Sequence, residues 1–552
     1  MKTLTALLAS SLALYGAVAA SEPRLNGWYP CAETDDGSSG APNGTLASLA
    51  KFECAELEVP LCYEGVCKSD DTIELFVRRR LAQKKAADGQ PRALFRVPGG
   101  PGQTSVVEEG WMLMYAESLG DTVDMYTVDH RGTGRSEFLE CEASQAMTGG
   151  SPSGTEISNE EMVNCIKDLR AKYDGNAAAF SVTSAARDIQ TVIETFMPKH
   201  KVFVNGASYG TFLTQRLMQF KLPQVVGYIY DGVDALTTKK DPIESAVSHW
   251  NEAILASSKR LLEYCFDSKD CPIKFKSRDT VVKEVVDLFD SLDDEKSECG
   301  DFLAELLETE KPSVAIRSWL GGLVSKTDQR NTALAVVSHL QTCTEDDQAK
   351  IKELYGDNDS ETIDAGATPD RLKVDSALLY NVVVYSERWA QPAPTKSQLD
   401  KFFHDCPFPS GSMDGQQLSF CQFNGFKDPA CADFKTENVS SSDEGFQYEH
   451  DKYFEEPVVL PDHASALIIN GGLDFATPLE FGELLYHKLR DTGRGAMVVN
   501  FDYGNHCGGE AVDMESGTPC RDGIVTSFIA QDGALDKVNT NCMAELPTAT
   551  FA

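Results

Sequence analysis

Between Lys201 and Gly210 the chain reads KVFVNGASYG. A β-branched and aromatic run, Val202-Phe203-Val204, stops at Gly206-Ala207-Ser208-Tyr209-Gly210, and the helix-compatible TFLTQRLMQF follows. Strand, sharp turn and helix in that order place Ser208 at the apex of the turn. The G-x-S-x-G pattern suits a serine held in a strained backbone conformation, because the flanking glycines carry no Cβ atoms to clash there. Such a turn lifts the hydroxyl above a sheet and turns the next amide, that of Tyr209, toward any negative charge that develops on a bound carbonyl oxygen.

The same theme, a strand running into glycine, recurs along the chain. Ala93 to Pro98 runs into Gly99-Gly100-Pro101-Gly102, where the Gly100 amide is a second candidate donor to an oxyanion. A phosphate-binding reading of this loop fails because no G-K-[ST] follows. Thr122 to Val128 ends in Asp129-His-Arg-Gly-Thr-Gly-Arg-Ser136, and Val226 to Tyr230 ends in Asp231-Gly232-Val233. A short strand at 57 to 61 and an alternating one at 72 to 77 come first, and helical stretches at 158 to 172 and 183 to 196 lead into the Ser208 strand. From 235 to 455 helical periodicity takes over, at 242 to 265, 280 to 292, 301 to 309, 312 to 324 and 331 to 342. Strands then return at Ala464 to Asn470 and Ala496 to Phe501, with a crossover helix around 479 to 490 and a last helix in the 520s. This pattern predicts an α/β fold with a mostly parallel sheet and a large, mainly helical cap inserted after the sixth core strand. The expected division is a leader at 1–20, the first part of the α/β domain at 21–234, the cap at 235–455 and the second part at 456–552.

A serine nucleophile needs a histidine base, and the histidine needs a carboxylate to fix its tautomer. Nine histidines are present. His130 and His200 precede the serine; His249, His339, His404 and His450 lie in or beside the helical insertion; His463 begins a strand; His487 sits within the crossover helix. His506 follows the last strand on a glycine-bearing loop, and Asp474 ends the strand before it, 32 residues earlier. Ser208, Asp474 and His506 are therefore the expected triad, in the chain order Ser, Asp, His.

Composition bears on compartment and partners. Lys2, an apolar stretch from Leu4 to Val18 and Ala17-Val18-Ala19-Ala20 read as a secretory signal, and no later run approaches a membrane span. Sixteen cysteines without a C-x-x-C pair favour disulfides, with Cys265–Cys271, Cys141–Cys165 and Cys507–Cys520 as local candidates. Asn43, Asn358 and Asn438 open glycosylation sequons. A formal charge of −35 repels nucleic acid and anionic membranes and suits a secreted protein.

Gly-Gly-Pro-Gly at 99 to 102, Asp129 to Ser136, Gly206 to Gly210, and Gly472-Leu473-Asp474 with Asn505-His506-Cys507 together resemble the secreted tripeptidyl and prolyl aminopeptidase family of α/β-hydrolases. The similarity lies on both sides of the helical insertion. It departs from the family at Pro98, where many relatives carry histidine, and at His130, where glutamine is frequent. The resemblance implies a serine exopeptidase acting on peptide substrates with a free N-terminus, and nothing in the residues indicates a metal or organic cofactor. Such an enzyme needs a carboxylate for the substrate ammonium, and Glu387 in the YNVVVYSERW stretch is the candidate. Two other readings remain open on the residues: an esterase or lipase with the same triad, and a non-catalytic binding protein that keeps the cleft.

Overall fold

The computed structural model describes residues 24–31, 52–141, 157–235, 245–356, 375–435, 444–507, 519–546 and 550–551. The leader at 1–20 and the three sequons lie outside these residues. Ten strands form one sheet: β1 (Arg24–Leu25), β2 (Tyr29–Pro30), β3 (Glu53–Pro60), β4 (Thr72–Arg80), β5 (Arg92–Val97), β6 (Val123–Val128), β7 (Lys201–Ala207), β8 (Val225–Asp231), β9 (Ser465–Gly471) and β10 (Ala496–Phe501). The order across the sheet is β1-β3-β4-β6-β5-β7-β8-β9-β10, with β2 paired to β3. Among the eight long strands, β4 alone runs against the others. Strands β5 to β10 pair in parallel, so helices must make the crossovers. This order, with its antiparallel second strand, is that of the α/β-hydrolase fold. β3 is longer than the 57 to 61 strand expected from sequence, because Glu53 to Pro60 pairs with β4 along its full length.

Both faces of the central strands are covered, which is why they read as continuous apolar runs. Val202 and Val204 of β7, Tyr228 and Tyr230 of β8, and Ala466 and Ile468 of β9 pack on one face with Ile189, Phe212 and Leu213. The alternate residues Phe203, Ile229, Leu467 and Ile469 pack on the other with Met112, Ile524 and Phe528. The helix Val182–Phe196 buries its face at three- and four-residue intervals, and Ser181 caps it by accepting from the Ser184 amide. Asn159–Lys172 begins with a capping box made by Ser158 and Glu161.

Between β8 and β9 the described residues are helical. Trp250–Asp267, Val281–Asp290, Glu298–Leu306, Pro312–Val324, Arg330–Leu340 and Glu345–Gly356 surround a core of their own that includes Leu262, Ile316, Leu320 and Val337. Leu473 and Phe475, on either side of Asp474, are buried in that same core. The insertion therefore grips the loop after β9 as well as covering the sheet. The helix Ala377–Val383 continues into a π-helical turn, Val384–Arg388. Among the described residues no helix is long and apolar enough to cross a membrane.

Fourteen cysteines form seven disulfides, including Cys141–Cys165 and Cys265–Cys271. Such pairing is typical of proteins of oxidising compartments. The expected Cys507–Cys520 bond is corrected: Cys520 pairs with Cys542 at a Cα separation of 5.6 Å. Cys507 turns the other way, donating its thiol hydrogen to the Asp231 carbonyl at 3.2 Å. It is held there by the left-handed backbone that follows His506, with φ 50°.

Candidate active site

Ser208 adopts φ 54° and ψ −128° at the turn between β7 and the helix Tyr209–Met218. A non-glycine residue in this region is strained by about 1–3 kcal/mol and persists only where its surroundings enforce it. The enforcing contacts are visible: the Ser208 amide donates to the Asp231 carbonyl at 2.9 Å, and the Ser208 carbonyl accepts from the Thr211 amide and hydroxyl. The glycines are required by contact as well as by conformation. A Cβ on Gly206 would lie 2.3 Å from the Gly210 carbonyl oxygen, and one on Gly210 would lie 2.3 Å from the Val97 carbonyl oxygen and 2.8 Å from that of Pro98. These neighbours are backbone and cannot yield cheaply. Gly210→Ala is expected to destabilise the fold by about 2–3 kcal/mol, read as a lower denaturation midpoint at unchanged m-value.

The glycine loop after β5 lies against the serine: a Cβ on Gly99 would come 3.1 Å from Ser208 Cβ. Gly100 has φ 109° and lines, with Ser208, two adjoining cavities. Tyr209 opens the elbow helix, so its amide is one of the first-turn N–H groups without an intrahelical acceptor. Of the two residues expected to supply oxyanion donors, Gly100 lines the cleft with Ser208, and Tyr209 follows the serine at the start of the helix.

Asp474 is fully buried at the end of β9. Its Oδ1 accepts from the amides of Ala476 and Thr477, both at 2.7 Å, and its Oδ2 from the Thr477 hydroxyl at 2.9 Å. The remaining approach to Oδ2 belongs to His506 Nδ1 at 2.9 Å. An ionised carboxylate accepts and cannot donate, so the proton sits on Nδ1 and leaves Nε2 basic. His506 keeps 29% of its side chain exposed and lines with Ser208 a cavity of about 300 Å³. Burial opposes its charged form, but the facing Asp474 carboxylate and the adjoining Cys507 together outweigh this and hold the imidazole pKa well above its ordinary 6.5.

Several supports of this arrangement are not visible in the sequence. The Ser257 hydroxyl donates to the Asp474 carbonyl at 2.6 Å, and Arg330 donates to the Leu473 carbonyl at 2.8 Å, both from the helical insertion. Arg521 donates to the Cys507 carbonyl and faces Asp231 Oδ2 at 3.4 Å, fixing the histidine loop to the end of β8. Thr477 was within reach of sequence reasoning, since an Asp followed two and three residues on by its own amide donors is an Asx-type turn. The Asp129 to Ser136 stretch proves architectural. Asp129 accepts from the Ser105 and Arg135 amides, and Arg131 makes a two-bond pair with Asp188, both bonds at 2.7 Å, with no exposed surface on the arginine.

Glu387 requires correction. Its Oε2 is paired with Arg216 Nη2 at 2.8 Å, its Oε1 accepts from the Tyr448 hydroxyl at 2.9 Å, and it is 3% exposed. Both oxygens are committed, and neither cavity at Ser208 includes it. A charge in an apolar helical stretch here marks a buried internal ion pair.

Neither a family model nor a curated protein matches the chain. Similar solved structures include a proline iminopeptidase from Mycobacterium smegmatis, 12% identical over 87% of this chain and 98% of that one, with TM-score 0.34. An esterase from Exiguobacterium antarcticum is 13% identical over 79% of this chain and 90% of that one, with TM-score 0.27. A lipase in its open form is 13% identical over 87% of this chain and 99% of that one, with TM-score 0.30. The chain has the α/β-hydrolase fold. That statement rests on its strand order and on the strand-serine-helix turn at Ser208.

Proposed function

We propose that the protein is a secreted serine exopeptidase that cleaves peptides near a free N-terminus. Ser208 Oγ attacks the scissile carbonyl while His506 Nε2 takes its proton. The Gly100 and Tyr209 amides bind the oxyanion, and His506 returns the proton to the leaving amine. Water, activated by the same histidine, then releases the acyl group from Ser208. Asp474 orients His506 throughout and remains ionised. The observation that carries this reading is the part-buried Asp474–His506 hydrogen bond of 2.9 Å, with the histidine sharing the cleft of a strained serine. The glycine-loop, elbow and histidine-loop motifs support the peptidase assignment, and the seven disulfides support secretion.

The smaller cavity at Ser208 is walled largely by apolar side chains such as Val247, Trp250 and Phe481, which favours a second reading, hydrolysis of short-chain esters. One peptide set, supplied with free and with acetylated N-termini, separates the two. Mass spectrometry is expected to show free peptides shortened from the N-terminal end and acetylated ones intact. Intact peptides of both kinds, together with hydrolysis of a short-chain ester, would establish the ester reading instead.

A further inference from the structure

The smaller of the two cavities at Ser208 encloses about 70 Å³. Its walls come from the glycine loop (Pro101), from the helical insertion (Val247, Trp250, Tyr380, Val384) and from the helix Leu479–Leu489 that follows Asp474 (Phe481). Two charged residues, Asp234 and Arg388, also line it, 8% and 3% exposed respectively.

Asp234 is fixed through its backbone to the elbow helix: its amide donates to Thr211 Oγ1 at 2.7 Å and its carbonyl accepts from Gln215 at 2.8 Å. Its Oδ2 is paired with Arg388 Nη1, and Arg388 is tied in turn to the Ser245 carbonyl at 3.0 Å. The hydrogen bonds that Asp234 makes to described residues use Oδ2, its amide and its carbonyl, and none uses Oδ1. A carboxylate with one oxygen paired to a guanidinium leaves its other oxygen available for a second charge-assisted hydrogen bond. Glu387 lacks this property because both of its oxygens are taken.

We propose that Asp234 Oδ1 binds the α-ammonium of the substrate's first residue, whose side chain fills the apolar remainder of the cavity, so that one compact residue is released per turnover. This rests on the exopeptidase reading above and deepens it. The ammonium gains a charge-assisted hydrogen bond in a water-poor pocket, and the carbonyl of the same residue lies at Ser208, which lines the same cavity. Size sets the second limit. A cavity of 150 Å³ accommodates benzene, so one of about 70 Å³ suits an alanine- or proline-sized group and leaves no place for a second or third residue.

The test compares wild type and Asp234→Asn on alanyl, prolyl, leucyl and phenylalanyl p-nitroanilides and on p-nitrophenyl acetate, whose acyl group has no amine. Wild type is expected to favour the alanyl or prolyl over the phenylalanyl substrate by about 100-fold and to release single residues from peptides. Asp234→Asn is expected to lower the ratio of kcat/KM for the alanyl anilide to that for the acetate ester by about 10- to 100-fold, the loss of one charge-assisted hydrogen bond. An unchanged ratio, or release of dipeptides or tripeptides by wild type, overturns the proposal while leaving the exopeptidase reading standing. If wild type hydrolyses the acetate ester and none of the anilides or peptides, the exopeptidase reading itself fails. Should Asp234→Asn fold poorly, Val384→Ala decides. The widened cavity is expected to raise leucyl relative to alanyl turnover about tenfold, and no change in that preference overturns the proposal.

Discussion

Ser208→Ala is expected to lower kcat by about 10⁴- to 10⁶-fold while leaving the folded state in place. The substitution removes one oxygen and no structural bond, since the backbone contacts that hold the turn, from the Ser208 amide to Asp231 and from Thr211 to the Ser208 carbonyl, do not use the hydroxyl. The measurement pairs steady-state turnover with circular dichroism and thermal melting. Labelling by a fluorophosphonate, which transfers its phosphonyl group to an activated serine, is lost in the same variant. Retained turnover by a folded Ser208→Ala protein would remove the nucleophile assignment, and with it the mechanism.

Asp474→Asn is expected to cost about 10⁴-fold in kcat. Thr477 and the two amides that surround the carboxylate are all donors, so an asparagine amide nitrogen placed toward His506 would present a hydrogen to Nδ1 and drive the proton to Nε2. The nitrogen that must accept the serine proton would then carry one already. The pH dependence gives an independent reading. Burial disfavours the His506 imidazolium, but Asp474 together with Cys507 raises its pKa well above 6.5, so wild-type kcat/KM is expected to increase with pH as His506 loses its proton, with a midpoint above 6.5. In Asp474→Asn the residual activity is expected to reach its midpoint at lower pH. Stability follows the opposite direction. A group whose folded pKa is raised contributes stability that is fully present below the unfolded value and is lost as pH rises through the folded one. The melting-temperature advantage of wild type over Asp474→Asn should therefore be largest in mildly acidic solution and shrink toward alkaline pH.

The helical insertion enters both predictions. Leu473 and Phe475 are buried in its core, and Ser257 and Arg330 hold the carbonyls of Asp474 and Leu473. A Leu→Ala change is typically worth about 2–5 kcal/mol in a core; at Leu473 it would also loosen the carboxylate that orients His506. Stability and the proposed chemistry are coupled there because one short loop bridges the helical core and the candidate triad.

The amino-acid sequence by itself determined the elements and the candidate nucleophile. Conformation at Val202 to Gly210 is encoded within ten residues: β-branched side chains extend the backbone, glycines admit a turn closed to other residues, and helix formers follow. The chain order of Ser208, Asp474 and His506, each just past a strand, was legible for the same reason, since every one of those strand ends is marked locally. Tertiary structure decided what depends on meeting across the chain. Cys507 and Cys520 are near in sequence, yet Cys520, the first residue of the helix Cys520–Ala530, bonds Cys542, while the Cys507 thiol donates to the Asp231 carbonyl. Glu387 and Asp234 are both acidic residues beside apolar ones, and no local pattern separates them. The first meets Arg216 and Tyr448 and has no oxygen to spare; the second pairs one oxygen with Arg388 and lines the cavity at Ser208. Asp474 is held by partners 217 and 143 residues from it or its neighbour. Backbone propensity acts over a few residues, whereas the satisfaction of a buried charge depends on which side chains the fold brings within about 3 Å of it.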